Sequence, residues 1–235
     1  MNIILLFEND FISRDVVRLQ GRRQKHMLEV LKATAGDQVL VGMLNGLVGK
    51  GTITDITADA LTMELRLDRQ PPAPLPVTLV LSLPRPKMLK RVLFTASSMG
   101  VKRLYLINSF RVEKSFWKSP LLSAERMHEY LLLGLEQAKD TAVPEVLLRP
   151  LFRPFVEDEL PAIMEGSPAF VAHPGAEESC PRDMKRHVIL AIGPEGGFIS
   201  YEIEKLTSIG FIPVSLGERP LRVETSVPAL LARIF

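Results

Sequence analysis

Four prolines fall within six residues at Pro71-Pro72-Ala73-Pro74-Leu75-Pro76, and neither a helix nor a sheet continues through such a run. Each proline fixes its own φ and lacks a donor N–H, so the segment is expected to be a stiff, extended connection. The residue pattern changes across it. Short β-like runs precede it, and strands alternating with helices follow. We therefore expect two domains, one over residues 1–72 and one over 73–235.

The first part reads as a small β-barrel. Gln38-Val39-Leu40-Val41 follows the turn pair Gly36-Asp37, and Asn45-Gly46 is a hairpin signal between apolar flanks. Residues 51–56 and 61–67 alternate apolar and polar side chains, the period of a half-buried strand. Apolar residues at 27, 28, 30 and 31 suit a short helix over 24–32, with His26 packed on its apolar segment.

After the prolines, strands are expected at 77–83, 103–107, 169–172, 188–192 and 211–216. Helices are expected at 88–98, 123–139 and 200–209, with a last one starting near Ser226 and Pro228 in its first turn. Such alternation predicts an α/β domain whose mainly parallel sheet is covered on both faces. Ligands on these sheets lie at the carboxyl ends of strands.

The net charge of +2 conceals an uneven distribution. Residues 1–70 balance nine basic against nine acidic side chains, and 121–235 carries −6. Residues 77–120 hold nine Lys/Arg, including Arg85, Lys87, Lys90, Arg111, Lys114 and Lys118, against Glu113 alone. A +8 block points to a polyanion such as RNA, because phosphate neutralisation releases condensed counterions; a solvated basic face without a partner is the alternative. Trp117 lies among these cations and either stacks on a base or packs half-buried, while Phe110 and Phe116 are expected in the core. No apolar run reaches the roughly 20 residues that span a bilayer. The apolar start, Ile3 to Phe7, is short and lacks a basic flank, so a cytoplasmic protein without a signal peptide is expected. Cys180 stands alone and no Cys/His spacing suggests zinc, so neither a disulfide nor a metal is expected.

Three expected strand ends carry unusual loops. They are His173-Pro174-Gly175, then Gly193-Pro194-Glu195-Gly196-Gly197-Phe198 after Ile192, and Gly217-Glu218-Arg219-Pro220-Leu221-Arg222-Val223-Glu224-Thr225 after Leu216. Glycine lets a ligand approach the main chain, and proline stiffens the loop around it. The second loop lacks the P-loop Gly-Lys-Ser/Thr ending, and Glu195 would repel a phosphate. A neutral-to-cationic ligand read by backbone groups fits better; three tight turns without a ligand are the other reading.

Ile192-Gly193-Pro194-Glu195-Gly196-Gly197-Phe198 paired with Leu216-Gly217 and Leu221-Arg222-Val223-Glu224-Thr225 closely resembles the RsmE-type RNA methyltransferases of the SPOUT class. The resemblance extends to His26 through Lys32, Gly36 through Val39, Pro84 through Lys90, Met99-Gly100-Val101, and Glu136-Gln137 with Pro144-Glu145-Val146. It implies a PUA-like, RNA-binding N-terminal barrel, a SPOUT domain with a deep trefoil knot, and a homodimer. It also implies S-adenosyl-L-methionine as cofactor and uridine N3 of 16S ribosomal RNA, or the small subunit, as methyl acceptor. Carried onto this chain, the cofactor positions are His173, Pro174, Ile192, Gly193, Glu195, Gly196, Gly197, Leu216, Gly217, Leu221 and Thr225. Asp140, Val223, Ser226, Ser98-Met99 and Lys32 depart from the usual family residues.

Deprotonating the weakly acidic imide of uridine calls for a stabilising cation and a proton acceptor. Arg222 and Glu224 are the catalytic candidates, with Glu195 a second possible acceptor; a loop-fixing Arg222–Glu224 salt bridge is the competing reading. Glu195 is expected to accept N–H groups within its own turn, and Thr225 and Ser226 act as helix caps or as ligands. Two other functions remain open: a non-catalytic RNA-binding assembly protein, and a SPOUT enzyme acting on another RNA nucleotide.

Overall fold

The computed structural model describes residues 2–235. Contacts divide them into two units, the first reaching Ala73 and including Leu135–Val143, the second comprising Pro74–Gly134 and Pro144–Phe235.

The first unit is built on a six-stranded sheet. Its strands are β1 (Ile4–Leu6), β2 (Phe11–Ser13), β3 (Val16–Leu19), β4 (Gln38–Met43), β5 (Val48–Ile56) and β6 (Leu61–Arg69), in the order β1-β4-β5-β6-β3-β2. Only the β1–β4 pair is parallel. In β6 the expected alternation is visible as Leu61, Met63 and Leu65 buried, with Glu64 and Arg66 outside. They join Ile4, Leu6, Leu19, Met27 and Ile53 in one core. The helix expected over 24–32 begins earlier, as α1 (Gly21–Lys25), and continues as a π-helical stretch, His26–Val30. The hairpin at Asn45-Gly46 is held from a distant segment: Asn45 Oδ1 accepts from Val143 N at 2.9 Å, and Thr141 Oγ1 donates to the Gly46 carbonyl at 2.6 Å.

The second unit holds another six-stranded sheet, with every strand pair parallel. Its strands are β7 (Val77–Ser82), β8 (Arg103–Ile107), β9 (Glu145–Arg149), β10 (Ala169–Ala172), β11 (Val188–Ile192) and β12 (Phe211–Val214), in the order β12-β10-β11-β7-β8-β9. The helices are α2 (Pro86–Ser98), α3 (Ala124–Ala138), α4 (Phe152–Pro154), α5 (Leu160–Met164), α6 (Ser200–Ser208) and α7 (Val223–Ile234), with a π-helical turn, Phe155–Glu159, between α4 and α5. β7 and β11 are buried at every position, as befits central parallel strands. Val80, Ile107, Val171 and Ile189 pack with Phe155, Leu160, Leu206 and Phe211 in the core of one face. Helix α7 packs on α2 and on β11.

Two expectations for α7 are corrected. The helix starts at Val223 rather than near Ser226, with Arg222 as its N-cap. Pro228 therefore lies in the second turn, where its missing N–H leaves the Glu224 carbonyl without an i+4 donor.

Candidate active site

The order of strands decides where the unusual loops meet. Strand β10 lies between β11 and β12 and is parallel to both, so all three loops emerge at one sheet end. The His173 N–H donates to the Val214 carbonyl at 2.9 Å, fastening the first loop to β12. The second turns on a bond from Gly197 N to the Pro194 carbonyl at 2.7 Å. A Cβ on Gly193 would lie 2.9 Å from Phe198 N, so this turn closes only around glycine. Gly217 opens the third loop at φ +117°, a conformation that favours glycine.

Together the loops enclose a cavity of about 400 Å³. His173 and Pro174 line it from the first loop; Ile192, Gly193, Glu195, Gly196 and Gly197 from the second; Leu216, Gly217 and Leu221 from the third. Ser226 and Leu230 of α7 complete one wall. Thr225 lies in the first turn of α7 and is not among the lining residues, so the candidate cofactor positions include one that the structure leaves outside.

A second cavity, of about 850 Å³, has a different character. Arg85, Lys87 and Arg222 bring positive charge to it, and Glu113, Glu195 and Glu224 negative charge. Glu195 lines both cavities. Its Oε1 accepts from the backbone N–H of Arg85 at 3.2 Å, with the Arg85 Nε 3.9 Å away. The acceptor role anticipated for Glu195 is thus present, but it reaches the loop after β7 rather than its own turn.

Arg222 and Glu224 both face the second cavity, and among the described residues they form no ion pair with each other or with any other side chain. The salt-bridge reading of this pair is therefore set aside. Arg222 caps α7 through its carbonyl, which accepts from Ser226 N at 2.7 Å and from the Ser226 hydroxyl at 3.0 Å. Ser226 is accordingly no N-cap; its hydroxyl bonds back into the first turn.

The basic candidates separate. Arg85 and Lys87 line the second cavity, and Lys90 lines a third of about 370 Å³ with Phe94, Tyr130 and Leu133. Arg111 lines the first cavity and donates to the Gly196 carbonyl, a role that its place in a basic block does not reveal. Lys114 and Lys118 are exposed and line none of the three. Trp117 is half-buried with its indole N–H on Asn108 Oδ1 at 2.9 Å, and Phe116 lines the second cavity. Phe110 departs from expectation: it is not in the core but 78% exposed.

Cys180 is buried near the end of β12, its N–H on the Ser215 carbonyl at 2.8 Å. Burial pushes its thiol up to about 11, so it stays protonated at neutral pH and is no nucleophile. Among the described residues, no group of three or more His, Cys, Asp or Glu side chains is arranged to hold a metal ion, and no helix is long and apolar enough to cross a membrane.

The RNA methyltransferase domain matches residues 71–235, the whole second unit and the loops that build both cavities. The chain belongs to the RNA methyltransferase family. Its curated relatives within that family include the ribosomal RNA small subunit methyltransferase E of Treponema pallidum, 29% identical with 100% of this chain and 91% of the relative aligned. The protein of the same name from Synechocystis sp. is 28% identical over 90% of this chain and 70% of its own. The solved methyltransferase E of Neisseria gonorrhoeae, bound to S-adenosyl methionine, has the same fold, with a TM-score of 0.74 and 21% identity over 99% and 95% of the two chains.

Proposed function

We propose that this RNA methyltransferase transfers a methyl group from S-adenosyl-L-methionine to uridine N3 of small-subunit ribosomal RNA. The observation that carries the reading is Glu195, which lines both a glycine-walled cavity and a charged one. The first has the chemistry of a cofactor seat and the second that of an RNA-facing acceptor site. The full-length similarity to small-subunit methyltransferases supports the choice of RNA.

The residues present suit the cofactor. Ile192, Leu216, Leu221 and Leu230 offer apolar walls to an adenine and its ribose, while the three loops offer backbone groups for the polar edges. Glu195 lines both cavities and, by accepting from Arg85 N, holds the loop after β11 against the loop after β7. When bound, the cofactor supplies an electrophilic methyl for in-line displacement.

The protein's own groups align the acceptor and manage its proton. Arg222 stabilises negative charge developing on the uracil, or a neighbouring phosphate. Glu224 takes the N3 proton. Its carboxylate has no hydrogen bond or ion pair among the described residues, whereas Glu195 is already engaged by Arg85. Arg85, Lys87, Lys90, Lys114 and Lys118 hold the phosphate backbone.

Residues 1–72 act as a PUA-like RNA-binding barrel, and 73–235 as the SPOUT catalytic domain with its trefoil knot; the non-sequential strand order and the three convergent loops support the latter. The enzyme works as a cytoplasmic homodimer, with Phe94 and Leu133, 37% and 39% exposed, offering apolar surface for a second copy.

The test is transfer of labelled methyl to small ribosomal subunits lacking their own methylation, followed by nucleoside analysis. Labelled N3-methyluridine upholds the proposal. A different labelled nucleoside overturns the target, and absence of label despite cofactor binding overturns the activity.

A further inference from the structure

We propose that Phe110 is a stacking platform for a nucleobase of the RNA substrate, presented at the rim of the cofactor cavity by a bracket built on Glu202. The inference rests on the RNA-directed reading above and assigns a substrate-positioning residue to it.

Phe110 follows β8 in the loop Asn108-Ser109-Phe110-Arg111, and its 78% exposure exceeds that of every other exposed large hydrophobic side chain described. A solitary exposed apolar residue needs no explanation by itself. What distinguishes this one is the anchoring of its backbone. Its N–H donates to Glu202 Oε1 at 2.7 Å. Glu202 lies in the first turn of α6 and is only 3% exposed. Its other oxygen accepts from Ile199 N at 3.0 Å, so one buried carboxylate ties the loop after β8 to the loop after β11. A buried carboxylate is costly unless its oxygens are satisfied, and here two backbone N–H groups satisfy them.

The next residue, Arg111, donates to the Gly196 carbonyl and lines the cofactor cavity. Val112 N closes a turn onto the Ser109 carbonyl at 3.0 Å. Phe110 is thereby held at its own N–H, by the Ser109–Val112 turn around it and at Arg111 after it, with its side chain left in solvent. A rigid backbone bearing a two-torsion aromatic ring loses little entropy on binding. Arg111, Lys114 and Lys118 in the same loop region supply cations for the phosphates flanking a stacked base. Aromatic side chains bind unstacked RNA bases through the π-face that every base has.

The test uses small-subunit ribosomal RNA lacking its own methylation, with binding measured by filter retention for the wild type, Phe110→Ala and Phe110→Trp. Stacking predicts roughly a tenfold weaker affinity for Phe110→Ala, restored by Phe110→Trp. The salt dependence should be unchanged, since no charge is removed. Affinity for S-adenosyl-L-methionine and the sedimentation mass should also be unchanged. An unaltered RNA affinity in Phe110→Ala overturns the proposal, as does a loss that Phe110→Trp fails to restore. A change in mass overturns it too, because it assigns the ring to contact between copies. Methyl transfer by the wild type is scored separately: its absence overturns the functional reading, while the stacking proposal still stands or falls on the binding curves.

Discussion

Glu195 accepts a hydrogen bond from the backbone N–H of Arg85 at 3.2 Å, so the loop after β11 and the loop after β7 share one carboxylate between two cavities. The bond needs an acceptor at that place, not a negative charge. Glu195→Gln retains an acceptor oxygen, and Glu195→Ala removes it. We expect Glu195→Ala to lower kcat/KM for methyl transfer by roughly tenfold or more, the scale of a lost hydrogen bond to a charged group. Glu195→Gln should keep most of the activity. Equal losses in both variants would mean that the charge itself is required.

Arg222 and Glu224 stand on either side of the first residue of α7 and face the same cavity without neutralising each other. Arg222→Ala should abolish methyl transfer while leaving affinity for S-adenosyl-L-methionine intact, as calorimetric titration would show. Glu224→Gln should lower kcat about 10²- to 10⁴-fold, the usual contribution of a positioned base. Unchanged turnover in either variant removes that residue from the chemistry.

Much of this site is legible in the sequence because its loops are short and sit directly at strand ends. Ten of the candidate cofactor residues, from His173 to Leu221, line one cavity, since each ends a strand or lies in the loop after one, and the strand's run of apolar residues already gives its position. Thr225 falls outside because the start of α7 could not be read: neither Arg222 nor Val223 is a capping residue type, and Pro228 suggested a later start. The cavity role of Arg111 and the exposure of Phe110 are hidden for a related reason. Their surroundings depend on Gly196 and Glu202, 85 and 92 residues away, and local pattern carries no information at that range. Strands β1 and β2 were too short, at three residues each, for any period to show. The 152–164 helical segment was obscured by Pro154 and Pro161.

Cys180 gives a prediction with a definite sign. Burial raises its thiol from 9.0 to about 11, so the unfolded chain releases this proton first as pH rises. The thiol's contribution to stability is fully present below pH 9.0 and is lost progressively towards about 11. Urea unfolding midpoints should therefore fall more steeply over this range in the wild type than in Cys180→Ala. At neutral pH the native protein should resist a water-soluble disulfide reagent and react with one equivalent after denaturation. Rapid labelling of the native protein would contradict the burial.

Arg23 in the first unit holds a partly shielded pair. It donates to both oxygens of Asp10, at 2.5 and 2.6 Å, and to the Leu5 carbonyl at 2.8 Å, and its guanidinium lies 4.7 Å from the centre of the Phe7 ring. Asp10 also accepts from Phe7 N at 2.7 Å. The side chains are only 15% and 10% exposed, so removing one leaves the other in a poorly solvated place. Arg23→Ala should destabilise the first unit by about 3 kcal/mol, the lower end for stranding one member of a buried pair. The Arg126–Glu129 pair on α3 is more than half exposed on both sides, and Arg126→Ala should leave the urea midpoint unmoved. Were the two substitutions to cost the same, burial would not be what gives the Arg23–Asp10 pair its weight. Restoring stability in Arg23→Ala by adding Asp10→Asn, which removes the uncompensated charge, would locate the cost in the stranded carboxylate rather than in the lost packing of the arginine stem on Phe7.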